Sequence, residues 1–78
     1  MRALELGRAE KALVRRKTGL DPASPQVRLA RLKEWYYKFP PGCLVVIDKK
    51  ARWFWILHGN AMFHGPIGNG IYSAIKGA

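Results

Sequence analysis

Gly42-Cys43-Leu44-Val45-Val46-Ile47-Asp48-Lys49-Lys50-Ala51-Arg52-Trp53-Phe54-Trp55-Ile56-Leu57 is the stretch that decides how this chain folds. Cys43 to Ile47 is an unbroken apolar run of strand length, rich in β-branched side chains. Asp48 closes it, two lysines follow, and a second apolar and aromatic run starts at Arg52. The pattern predicts a buried strand, a tight turn and an antiparallel partner, with Asp48 at the mouth of the first strand. On the second strand Arg52, Phe54, Ile56 and His58 share one face, and Trp53, Trp55 and Leu57 the other. Both faces are apolar, so a helix, a partner or nucleic acid must cover at least one. Asp48 is open to two readings, a turn residue or a metal ligand.

Upstream, Arg2 to Lys17 reads as a helix, with Leu6, Ala9, Ala12 and Leu13 at helical spacing and Gly19 as its stop. Arg15-Arg16-Lys17 fits either a phosphate clamp or a solvated helix terminus whose cations complement the dipole. Leu20 to Pro25 is a linker or turn. Ser24 and Pro25 fit the cap and first position of a second helix, expected from Pro25 to about Tyr37. Leu29, Leu32, Trp35, Tyr36 and Phe39 would form its apolar stripe, although Trp35-Tyr36-Tyr37 spans more than one face. Pro40-Pro41-Gly42 ends that helix.

Downstream, Gly59-Asn60 and Gly65-Pro66 bracket a loop, Ala61 to His64. Gly68-Asn69-Gly70 is a turn, and Ile71 to Lys76 a short third strand. The expected fold class is therefore α+β: two N-terminal helices followed by a three-stranded antiparallel sheet. Its parts are a basic helix over residues 1–20, a linker and amphipathic helix over 21–41, and a β-meander over 42–78. A chain ending on a strand leaves a sheet edge open, which invites pairing with another chain or a second copy.

Composition narrows the function. With 78 residues the chain makes one small domain with a marginal core. Its single cysteine, Cys43, excludes an internal disulfide framework and points to a reducing, cytoplasmic setting. Charges at Arg2, Glu5, Arg8, Glu10 and Lys11 break any signal-like apolar run, and no segment is long enough to span a bilayer. The expectation is therefore no membrane partner. Fourteen Lys+Arg against five Asp+Glu give a formal charge of +9, a field that favours polyanions and above all nucleic acid. The candidate binding residues are Arg15, Arg16, Lys17, Lys49, Lys50, Arg52, Trp53 and Trp55. Cys43, His58 and His64 match no compact zinc spacing. Gly65 to Gly70 lacks the Lys-Ser/Thr of a P-loop.

Pro40-Pro41-Gly42-Cys43-Leu44-Val45-Val46-Ile47-Asp48 also resembles the start of the catalytic domain of insertion-sequence transposases of the mariner-like DDE superfamily. The resemblance spans roughly residues 20 to 78. It adds Asp21-Pro22, the helix-like Leu29-Ala30-Arg31-Leu32-Lys33, and Tyr72-Ser73-Ala74-Ile75-Lys76-Gly77-Ala78 as a third strand. It implies the start of a ribonuclease-H-like fold, with Asp48 as the first catalytic aspartate and a ligand for Mg²⁺ or Mn²⁺, and DNA as partner. Two departures stand out: Lys49 follows Asp48 where the family usually has an acidic residue, and the later carboxylates of the triad do not occur in these 78 residues. One carboxylate among Lys49, Lys50 and Arg52 holds a divalent cation poorly. The resemblance thus implies a fragment involved in DNA transposition that binds DNA and is catalytically incompetent alone. The alternative is a stand-alone basic module that binds DNA or RNA through sheet aromatics and Lys/Arg.

Overall fold

The computed structural model describes residues 6–68 and 70–75. A four-stranded antiparallel meander carries the fold, in the order β1 (Val27–Arg31), β2 (Leu44–Asp48), β3 (Trp53–His58) and β4 (Ala61–Pro66). One long helix, α1 (Arg8–Thr18), precedes it, and a single turn of helix, α2 (Ile71–Ala74), follows it.

The central hairpin is as expected. Leu44 pairs with Leu57 and Asp48 with Trp53, so β2 and β3 match along their length. Leu44 to Ile47 are all buried, because both faces of β2 are covered. Val45, Ile47, Phe54 and Ile56 join Ala30, Leu32, Phe39, Ile71, Ala74 and Ile75 in one core layer. Val46, Leu44 and Leu57 face the other way, onto Leu6 and Val14, with Leu13, Leu20, Val27, Leu29 and Trp55 packed around them. The sheet thus lies between α1 on one face and the segment around α2 on the other. Each fully buried aliphatic side chain contributes about 1.5–3 kcal/mol relative to exposure.

The expected class of two helices and three strands is wrong in three places. Residues 25–37 are not helical: Val27–Arg31 is β1, paired with β2 from Val27↔Asp48 to Arg31↔Leu44. The strand is covered on both faces, so Leu29 and Leu32 point to opposite layers. A doubly covered strand has apolar residues at spacings that also satisfy a helix. Ser24 caps no helix; its Oγ accepts from the Gln26 N–H at 3.2 Å and its carbonyl from Val27, which closes a turn. Residues 61–66, expected as a loop, form β4, with His58↔Ala61 flanking a two-residue Gly59-Asn60 turn. Gly59 has φ +59°, the left-handed backbone such hairpin turns need. Finally, Ile71–Ala74 is helical where a third strand was expected, and only Ile75 bridges to Leu32. A helix and three strands ahead of a fourth antiparallel strand is a simple up-and-down meander; the expected opening of a ribonuclease-H-like fold, with a helix leading into the first strand, is not the arrangement seen.

α1 begins later than expected. It starts at Arg8, and the expected helical residues Arg2 to Glu5 lie outside the described residues, as do Asn69 and Lys76 to Ala78. Glu10, Leu13, Val14, Lys17 and Thr18 form its less exposed stripe, whereas Ala9 and Ala12 are exposed. Gly19, at φ +75°, ends the helix by donating its N–H to the Arg15 carbonyl at 3.0 Å.

Candidate nucleic-acid interface

The β2–β3 turn is shaped by Asp48 itself. Its Oδ1 accepts the backbone N–H groups of Lys50 and Ala51, both at 3.0 Å. Its carbonyl accepts from Arg52 at 2.9 Å. Arg52 takes φ +57° to bring the chain back into β3. These bonds hold the Lys49, Lys50 and Arg52 side chains outward, and all three residues are exposed. The carboxylate therefore has a turn role. Among the described residues, no group of three His, Cys, Asp or Glu side chains could hold a metal ion.

Trp53 follows this turn directly, and Trp55 lies two residues further along the same face of β3. Both are partly buried. Trp55 packs against the layer under α1, while Trp53 sits opposite Pro66 at the sheet's end. The exposed His64, which faces Trp55 across the ladder, brings its ring to 6.1 Å from that of Trp53. Turn cations and a strip of Trp53, Trp55 and His64 thus adjoin on the β3–β4 side of the helix-bearing face.

The helix cations are arranged differently. Arg15 lies 3.8 Å from Asp21, an exposed pair worth little. Arg16 is exposed, and Lys17 belongs to the less exposed stripe of the helix. Near the start of α1, Glu10 holds Arg31 at 3.0 Å, beside the β1 end that pairs with Leu44. Beyond its last turn only the short 19–26 segment intervenes before the Gln26 carbonyl accepts from the Lys49 N–H at 2.9 Å. The basic end of α1 and the basic turn are therefore joined by a short connection, with no direct side-chain bond between them among those described. A cleft lined by Glu10, Leu13, Arg31, Leu57 and His58 lies at the opposite end, its charges already paired by the Glu10–Arg31 bridge.

One aromatic group went unrecognised in the sequence. The loop between β1 and β2 folds back so that Tyr36 and Phe39 exchange backbone hydrogen bonds, both at 3.0 Å. Tyr37 takes φ +53°, a costly conformation for a non-glycine residue, of order 1 kcal/mol. Its ring lies 4.9 Å from Tyr36 and 5.4 Å from Phe63, yet the residue stays 77% exposed. Reading this segment as a helix hid the cluster; the two-residue turn Tyr37-Lys38 has no glycine to announce it. Burial raises the Tyr36 phenol above its usual range, with Tyr37 adding to the effect. Burial alone pushes the Cys43 thiol up, consistent with an inert, packed side chain.

No helix among the described residues is long and apolar enough to cross a membrane. No protein-family model, no curated protein and no solved structure matches this chain.

Proposed function

We propose that this chain is a small basic module that binds nucleic acid, with Lys49, Lys50 and Arg52 on backbone phosphates and Trp53 on an unstacked base. The observation that carries this reading is the adjacency of three exposed turn cations to two tryptophans that α1 does not fully cover. Base stacking on aromatic side chains is worth about 1–3 kcal/mol per base, and it needs a single-stranded ligand. Phosphate contacts need only a polyanion, so the two halves of the surface separate experimentally. Arg15, Arg16 and Lys17 extend the positive field toward the same turn.

The transposase-fragment reading draws on short sequence motifs, and no observation of the fold favours it. Asp48 holds the turn, and strand β1 occupies the place of the helix that those motifs require. The proposal is accordingly one of binding, to DNA or RNA, without a catalytic step.

Titration of tryptophan fluorescence with matched single- and double-stranded oligonucleotides tests it. The single strand should quench emission and bind more tightly, and Trp53→Leu should abolish that preference while leaving duplex binding in place. Equal binding of both forms, or a preference untouched by Trp53→Leu, contradicts the assignment of Trp53.

A further inference from the structure

We infer that β4 is a self-association edge, and that two copies pair β4 to β4 antiparallel into one eight-stranded sheet. β4 is the last strand of the meander, so among the described residues one side of its backbone has no neighbouring strand in the sheet. Its six residues, Ala61-Met62-Phe63-His64-Gly65-Pro66, carry none of the chain's Lys, Arg, Asp or Glu, and Ala61 to His64 are all exposed. Met62 is 38% and Phe63 36% exposed, one on each face of the sheet. An edge without Lys, Arg, Asp or Glu and with apolar residues on both sides is what solitary sheets avoid.

The opposite edge is defended. β1 carries Arg28 and Arg31, and Arg28 lies 5.9 Å over the Tyr72 ring. At the end of β1, Leu32 bridges to Ile75, and the Lys33 N–H donates to the Ala74 carbonyl at 2.7 Å. Head-to-tail stacking of β4 on β1 is therefore disfavoured, and with it open-ended fibre growth. What remains is pairing of like with like, which closes by two-fold symmetry.

Charge selects the occupant as well. A second copy presents the same strand, which has no Lys, Arg, Asp or Glu, so no lysine or arginine enters the contact. The turn cations stand at the end of the strand, where the net charge of +9 is screened over about 8 Å at physiological salt. A two-fold axis normal to the sheet leaves each face on its own side. The Trp53, Trp55 and His64 strips of both copies would then share one face and flank the seam, with Phe63 of both copies on the reverse. This doubling of the tryptophan surface rests on the proposed function; the association does not.

Sedimentation without nucleic acid, from about 1 μM to about 1 mM, spans the range of weak to moderate self-association. The mass should rise from one chain to two and stop there, and the exposed substitution His64→Lys should hold it at one. Because Cys43 is buried, single Met62→Cys, Phe63→Cys and His64→Cys variants add the one accessible thiol. At least one should give a like-with-like disulfide dimer under mild oxidation. A monomer at every concentration overturns the inference, as does growth beyond two chains or a dimer that His64→Lys leaves unchanged. Oligonucleotide binding by a strict monomer would leave the binding proposal standing and remove this one.

Discussion

Asp48 holds two backbone donors on one carboxylate oxygen, and this pins its role more firmly than its position at a strand end. An asparagine keeps an acceptor in the same place; an alanine does not. Asp48→Asn should leave thermal stability within about 0.5 kcal/mol, while Asp48→Ala should cost about 1–2 kcal/mol for two lost turn bonds. Equal losses measured by thermal denaturation would mean that the carboxylate's charge matters more than its geometry. Two other groups tie stability to pH. Burial raises the Cys43 thiol above its ordinary 9.0, and burial followed by Tyr37 raises the Tyr36 phenol above its ordinary 10.0. The folded chain therefore keeps these protons when the unfolded chain has released them. The stabilisation is complete below pH 9 and is lost as pH rises through the folded values. The melting temperature should fall from about pH 9 upward, and Cys43→Ala should flatten the first part of that fall.

At the level of elements, the central hairpin was legible because β2 is a pure apolar run bounded by Gly42 and the Asp48-Lys49-Lys50 turn. The helix stop at Gly19 was legible for the same local reason, a single residue suited to left-handed backbone. β1 was not, because a strand partly covered on both faces, with only Ala30 buried, loses the alternation that separates strand from helix. Ala30 and Trp35 distinguish the two. A helix built on the Leu29–Leu32–Trp35 stripe would put Trp35 inside and Ala30 toward solvent, whereas in the sheet Ala30 is 5% and Trp35 65% exposed. Ala30→Lys should therefore destabilise by several kcal/mol, since it buries an unpaired charge, and Trp35→Ser should change stability by less than about 0.5 kcal/mol. Denaturant melts giving the reverse order would contradict the strand. β4 was missed for a different reason. An edge strand takes its pairing from β3, and its own mixed residues give little periodic signal.

Across the whole molecule, the aromatic and basic residues singled out in the turn remain neighbours because hairpin register alone sets them side by side. Arg15, Arg16 and Lys17 depended on how α1 crosses the sheet, which local pattern cannot supply. The Tyr36-Tyr37-Phe63 cluster joins residues far apart in the chain through a loop with no distinctive turn residue, so it emerges only from the fold. The field of a +9 chain acts on any polyanion, but only a defined patch makes its effect sensitive to particular side chains. The most direct test is the salt dependence of oligonucleotide affinity, read by anisotropy of a labelled strand. Log affinity should fall linearly with log salt, and Lys49→Ala/Lys50→Ala should reduce the slope by about 1.4–1.8, two phosphate contacts' worth. An unchanged slope in that double variant, or affinity indifferent to salt, would contradict the turn as the phosphate-binding site.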